Sequence, residues 1–123
     1  MTTQEVAKRY YELIQKHQYK QIQDELYAPN AISIEPENDT NLPLVVEGIE
    51  AIQQKEGLFF SQVEQMFGGR MSELIVSDFF FSHMTEMDAK MKGKERKTKG
   101  QIGVFEVRNG KIVKEQFFYD DFD

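Results

Sequence analysis

The sequence contains no cysteine and no tryptophan, only three prolines and two histidines, and no apolar run near the ~20 residues that span a bilayer. Without cysteine there can be no disulfide, thiolate nucleophile, cysteine-ligated zinc or iron–sulfur cluster. Two histidines far apart in the chain do not form a metal-ligand pattern, and no metal site is expected. No glycine-rich phosphate loop or nucleophile motif occurs, so no cofactor is expected. Positive charge is also short. Fifteen Lys and Arg face 21 Asp and Glu, for a net charge of −6, which argues against nucleic acid or an anionic membrane as partner. The opening stretch MTTQEVAKRYYELI is charged throughout and reads as an amphipathic helix, not a secretory signal. A cytoplasmic protein is the expectation.

What remains is ample for a core. Forty per cent of the 123 residues are apolar and 12% aromatic, enough for a single domain spanning 1–123. Val6, Tyr10, Leu13, Ile14 and His17 recur at helical spacing, with Thr2 or Thr3 and Glu5 placed for a capping box. A short second helix carries Ile22 and Leu26 and stops at Pro29-Asn30. Residues 31–35 alternate as a short strand, and 44–47 form a possible edge strand. Gly48 opens a long helix, followed along Ile49, Ile52, Phe59, Val63, Met66 and Phe67 to a stop at Gly68-Gly69. Beyond Glu73 the period becomes two, predicting strands near 73–80, 81–92, 98–108 and 111–120, the last two joined through Asn109-Gly110. Helices first and an antiparallel meander second is the α+β class.

Sorting these strands by parity gives two apolar faces. One carries His83, Met87, Gln101, Gly103, Phe105, Glu115, Phe117 and Tyr119; the other carries Phe80, Met84, Ile102, Val104, Ile112 and Phe118. The predicted helices cover one face only. A homodimer through the outer face, using Met84, Val104 and Phe118, covers the other. The run from Lys90 to Lys99 carries +5 net and leaves −11 on the rest; it reads as a solvated, dispensable turn.

The stretches RYYELI (9–14), LYAPNAISIEP (26–36), VEGIEAI (46–52) and FEVRNGKIVKEQFFY (105–119) stand in an order that resembles the SnoaL-like and ketosteroid-isomerase-like proteins of the nuclear-transport-factor-2-like superfamily. The resemblance implies a cystatin-like α+β barrel, a strongly curved sheet wrapped around a long helix, with a cone-shaped pocket. It also implies a small apolar ligand, and either cofactor-free acid/base chemistry of the isomerase, cyclase or dehydratase type or a role in binding or association alone.

The same resemblance makes Glu35, followed by Pro36, the match to the proton-shuttling acid, and Tyr10, or Tyr11 beside it, the match to the hydrogen-bond donor. The second acid of the isomerase pattern falls on Gly103, which cannot supply it. Glu115 has inward parity between apolar neighbours, and an inward acid must find a partner or hold a proton. Glu35, Glu115 and Tyr10 are therefore the candidate catalytic residues. Ile14, Phe59, Val63, His83, Met87, Gln101, Phe105, Phe117 and Tyr119 are the candidate ligand-lining residues. If Phe59, Phe79, Phe105 and Phe117 fill the cone instead, the protein is an association module.

Overall fold

A computed structural model gives the fold over described residues 1–121. Helix α1 (Thr3–Ile14) is capped by Thr2, whose side chain accepts from the Glu5 amide while the Glu5 carboxylate accepts from the Thr2 amide. Helix α2 (Tyr19–Leu26) leads directly into strand β1 (Tyr27–Ile34). β1 starts earlier than the 31–35 stretch predicts. Pro29 is tolerated because the pairing of β1 with its neighbour shifts register between Tyr27 and Ile32, where a ladder amide is not needed.

Strand β2 (Val45–Glu47) precedes α3 (Ile49–Ser61), which opens after Gly48 at φ 96°. Here the sequence expectation fails. The helix stops at Ser61, and Val63–Met71 form strand β3 against β5. Val63, Met66 and Phe67 match a helical spacing by coincidence. Gly69 belongs to the strand, because a Cβ there would sit 2.4 Å from the Glu86 carbonyl oxygen. Strands β4 (Ile75–Val76), β5 (Phe80–Met91), β6 (Arg96–Arg108) and β7 (Lys111–Phe118) complete the chain. Asn109 and Gly110 both take positive φ, 52° and 74°, as a two-residue hairpin turn requires.

The strand order is β2-β1-β7-β6-β5-β3, with β4 added beside β5. The sheet is mixed: β1 runs parallel to β7, whereas the other pairs are antiparallel. It is curved and does not close. The parallel pair escapes a reading based on consecutive hairpins, since Ser33 and Glu115 on its strands are 82 residues apart.

The core lies between α1 and the inner sheet face. Tyr10 packs against Phe81 and Phe105 with ring centroids 5.2 and 4.7 Å away, and Phe81 stacks on Phe105 at 4.8 Å. Ile112 joins this core fully buried, although simple parity assigns it to the outer face. The reason is a register shift between Glu106 and Val107 that lets Ile112 and Glu115 both point inward. Phe79 does not fill the interior. It is exposed, with the Arg108 guanidinium 4.0 Å above its ring.

In the basic hairpin, Lys94 is not a free solvated charge. It forms an ion pair with Asp39 in the 36–43 loop. Among the described residues, no helix is long and apolar enough to cross a membrane.

Candidate functional site

The site is assembled where β1, β7 and α3 meet. Ser33 in β1 and Glu35, one residue past its end, both turn toward α3, and both are buried. In β7, Glu115 lies beside Ser33 through the parallel register, and it too is buried. From α3, Lys55 follows the fully buried Ile52 by three residues and so shares its face. The Lys55 side chain is only 4% exposed.

A charged group in such a place must be partnered. Lys55 Nζ donates to Glu35 Oε2 at 2.8 Å and to the Ser33 hydroxyl. Ser33 Oγ donates to Glu115 Oε2 at 2.5 Å, and the Tyr27 hydroxyl donates to Glu115 Oε1. Tyr119, half-buried at the end of the sheet, donates to Glu35 Oε1 at 2.6 Å. Five hydrogen bonds thus run from Tyr27 in the interior to Tyr119 at the surface. The Lys55 ammonium also lies 5.6 Å from the Phe117 ring centroid. Beside Tyr119 a surface groove is lined by Pro36, Gln101, Ile102 and Phe118, giving this end of the chain of bonds an approach from solvent.

Burial raises the Glu115 carboxyl above its ordinary range, against the opposing pull of its Ser33 and Tyr27 hydrogen bonds and of Lys55. Glu56, next to Lys55 on α3, is pushed up to about 7 by burial, although Gln23 donates to its carboxylate. The Tyr10 and Tyr27 phenols are raised by burial, so both remain hydrogen-bond donors. Burial lowers His83, which is therefore a neutral imidazole.

The candidate residues fall into two groups. Glu35, Glu115, Phe117 and Tyr119 are brought together with Lys55. Tyr10 is not among them. Its hydroxyl lies 3.1 Å from His83 Nε2, in the aromatic core with Phe105. Tyr11 takes a third place, donating to the Ser72 carbonyl at 2.9 Å. Ile14 is buried in the α1 core. Phe59, Met87 and Gln101 are half-buried, as is Val63, which lies at the start of β3 and not on α3. A Cβ on Gly103 would come within 3.0 Å of Phe105 and 3.2 Å of Phe117, so these two rings occupy the space a side chain there would need.

Lys55, Ser33 and Tyr27 are the members that sequence reasoning missed. A signal existed for Lys55: a lysine three residues after Ile52 and four before Phe59 breaks an otherwise apolar helix face.

A family model for the SnoaL-like domain matches residues 1–119. The chain belongs to the SnoaL-like family. Among solved structures, this SnoaL-like domain is similar to a protein of Mesorhizobium loti named as a SnoaL-like polyketide cyclase. The two share 29% identity and a TM-score of 0.84 over 97% of this chain and all of the other. A Xanthomonas campestris protein with a cystatin-like fold follows, at 18% identity and TM-score 0.79 over 98% of this chain and 92% of its own. TerC, crystallised with polyporic acid, has the same fold at 14% identity and TM-score 0.76, covering 96% and 91% of the two chains. Comparison with curated proteins gives no match.

Proposed function

We propose that this SnoaL-like domain binds a small apolar molecule bearing a carbonyl or similar acceptor oxygen at the Tyr119 end of the cone, and that Glu35 moves a proton on it. The carrying observation is the buried Glu35 carboxylate, paired with Lys55 and capped by the half-buried Tyr119, which borders a surface groove. Lys55 and Tyr119 each donate to one oxygen of the Glu35 carboxylate and fix its orientation, which is what a general base requires. Tyr119 is the one partner near the surface. By turning its hydroxyl from Glu35 onto a ligand oxygen it stabilises charge developing there and frees Oε1 to accept a proton. Pro36 and Gln101 line the groove beside Tyr119. A protein of this fold crystallised with polyporic acid supports an organic ligand in general terms.

The test is deuterium exchange beside the carbonyl in a panel of small cyclic ketones and quinones, followed by proton NMR. Exchange is expected with the wild type and should fall about 10²-fold in Glu35→Gln, the usual loss of a general base. No exchange and no resonance shift at Tyr119 or Gln101 would reject the proposal.

A second reading has its own support. Tyr10, Phe81 and Phe105 already fill the interior under α1, as an association module would require. The partner proposed with this second reading is a second copy of the chain on the outer sheet face. Phe80, Ile102 and Phe118 stand exposed there, at 42%, 50% and 49%. Three ion pairs within the face, Arg70–Glu86, Arg96–Asp88 and Arg108–Glu106, reduce the charge that an identical surface would meet.

A further inference from the structure

The two acids of the site are tied to one cation. Lys55 reaches Glu35 directly and Glu115 through a single hydroxyl, that of Ser33. We propose that Glu35 and Glu115 form one coupled acid–base unit that shares a single proton, with Lys55 and Ser33 as the coupling and Glu115 as a positioning residue that sets the proton affinity of Glu35. The proposal rests on Glu35 being the acid–base group of the site, and it gives Glu115, Ser33 and Lys55 their part in it.

Charge balance in a buried site carries the inference. With one proton on either carboxyl, the ammonium and the remaining carboxylate sum to zero. With no proton on the pair the cluster holds a net negative charge, and with two a net positive one. Either imbalance is expensive where solvent is excluded. Glu35, Lys55, Ser33, Glu115 and Tyr27 are all buried. The neutral count therefore dominates over a wide pH range, and the open question for the cluster is which acid holds the proton.

Geometry makes the two placements interdependent. When Glu35 is ionised it competes for the Lys55 ammonium, and Glu115 is left with the hydroxyl donors Ser33 and Tyr27. When Glu35 takes a proton, the ammonium is released toward Ser33, whose bond to Glu115 then carries more of the charge, and Glu115 ionises. Glu35 is thus a stronger base with Glu115 ionised than with Glu115 protonated. The elevated proton affinity of Glu115 is in line with this.

Other groups face the cluster from every element packed on it. Glu56 comes from α3, Tyr10 from α1, Tyr19 and Gln23 from α2, and Tyr119 from the end of β7. Of these, only Glu56 titrates near neutrality, at about 7. Its curve must be followed together with the pair.

The test is a pH titration of the side-chain carboxyl carbons in the full chain labelled with ¹³C-glutamate, from about pH 4 to 9, with no ligand present. Expected for the wild type are two-step curves for Glu35 and Glu115 sharing the same two midpoints. In Ser33→Ala both should become single-step, with midpoints about one unit or more apart. In Glu115→Gln, Glu35 should titrate in a single step. Independent single-step curves in the wild type overturn the proposal, as does a Ser33→Ala protein whose Glu35 and Glu115 curves are still shared. Because the measurement needs no substrate, two-step curves without any ketone exchange would reject the catalytic reading and leave the coupling intact.

Discussion

The interior has two ends built on opposite principles. Under α1, Tyr10, Phe81, Phe105 and Ile112 meet through ring faces and methyl groups, with the Tyr10 hydroxyl tied to His83. Beside α3, four polar side chains, Ser33, Glu35, Lys55 and Glu115, are buried as well. The aromatic end tolerates changes that preserve volume, because dispersion contacts carry no direction. At the polar end each group is tolerable only in the presence of its partner, so a single deletion leaves an orphan charge. The fold's stability and its candidate chemistry are thereby held in separate places.

The sharpest way to break this contrast is Lys55→Met. It is close to neutral in volume but strands Glu35, and should cost about 3–5 kcal/mol in urea unfolding at pH 7. Adding Glu35→Gln should recover much of that loss. A loss under about 1 kcal/mol for Lys55→Met alone would show that the two ends do not differ.

Next comes Glu56→Gln. A folded-state value raised to about 7 means the folded chain holds a proton that the unfolded chain releases near 4.5. The Glu56 contribution to stability must therefore fall as pH rises from about 4.5 to 7 and stay level above that. The variant lacks this loss. It should match the wild type near pH 4 and exceed it by about 2–3 kcal/mol at pH 8, read from denaturation midpoints across pH. A constant gap between the two proteins would contradict the assignment.

At the aromatic end, Phe105→Leu should cost about 1.5 kcal/mol, and its effect should not vary with pH. On the surface, Lys94→Ser should cost about 1 kcal/mol through its half-buried Asp39 partner, and Lys97→Ser under about 0.5 kcal/mol. Phe118→Asp should leave that monomer stability almost untouched yet abolish dimers in sedimentation, since a charge there cannot enter a dry interface.

Much of the architecture was readable before the structure. The helix spacing of Val6 to Ile14, the Asn109-Gly110 turn and the inward parity of Glu115 are local signals, and local signals survive folding. Glu35 was reached through resemblance. Three things were not readable. The end of α3 was lost because Val63, Met66 and Phe67 satisfy both periods, and only the close approach of Gly69 to Glu86 separates them. Ile112 was misplaced because a bulge changes parity without leaving a mark in composition. Ser33 and Lys55 were missed because their significance depends on a strand pairing between distant parts of the chain.

That pairing also governs the order in which the protein can be built. Ser33 and Glu115 are neighbours in space but 82 residues apart in sequence. β7 fills the slot between β1 and β6. During synthesis, β1 and β2 must wait almost the whole length of the chain for the strand that joins them to the rest of the sheet. Until then Glu35 and Lys55 stay hydrated and the last strand's slot stays open. Insertion of β7 joins the two parts of the sheet, expels water from the charged cluster and buries Ile112 in one late event. Contacts this remote in sequence slow folding, and a nascent chain ending before Lys111 would expose two unjoined strand edges for chaperones or aggregation to find.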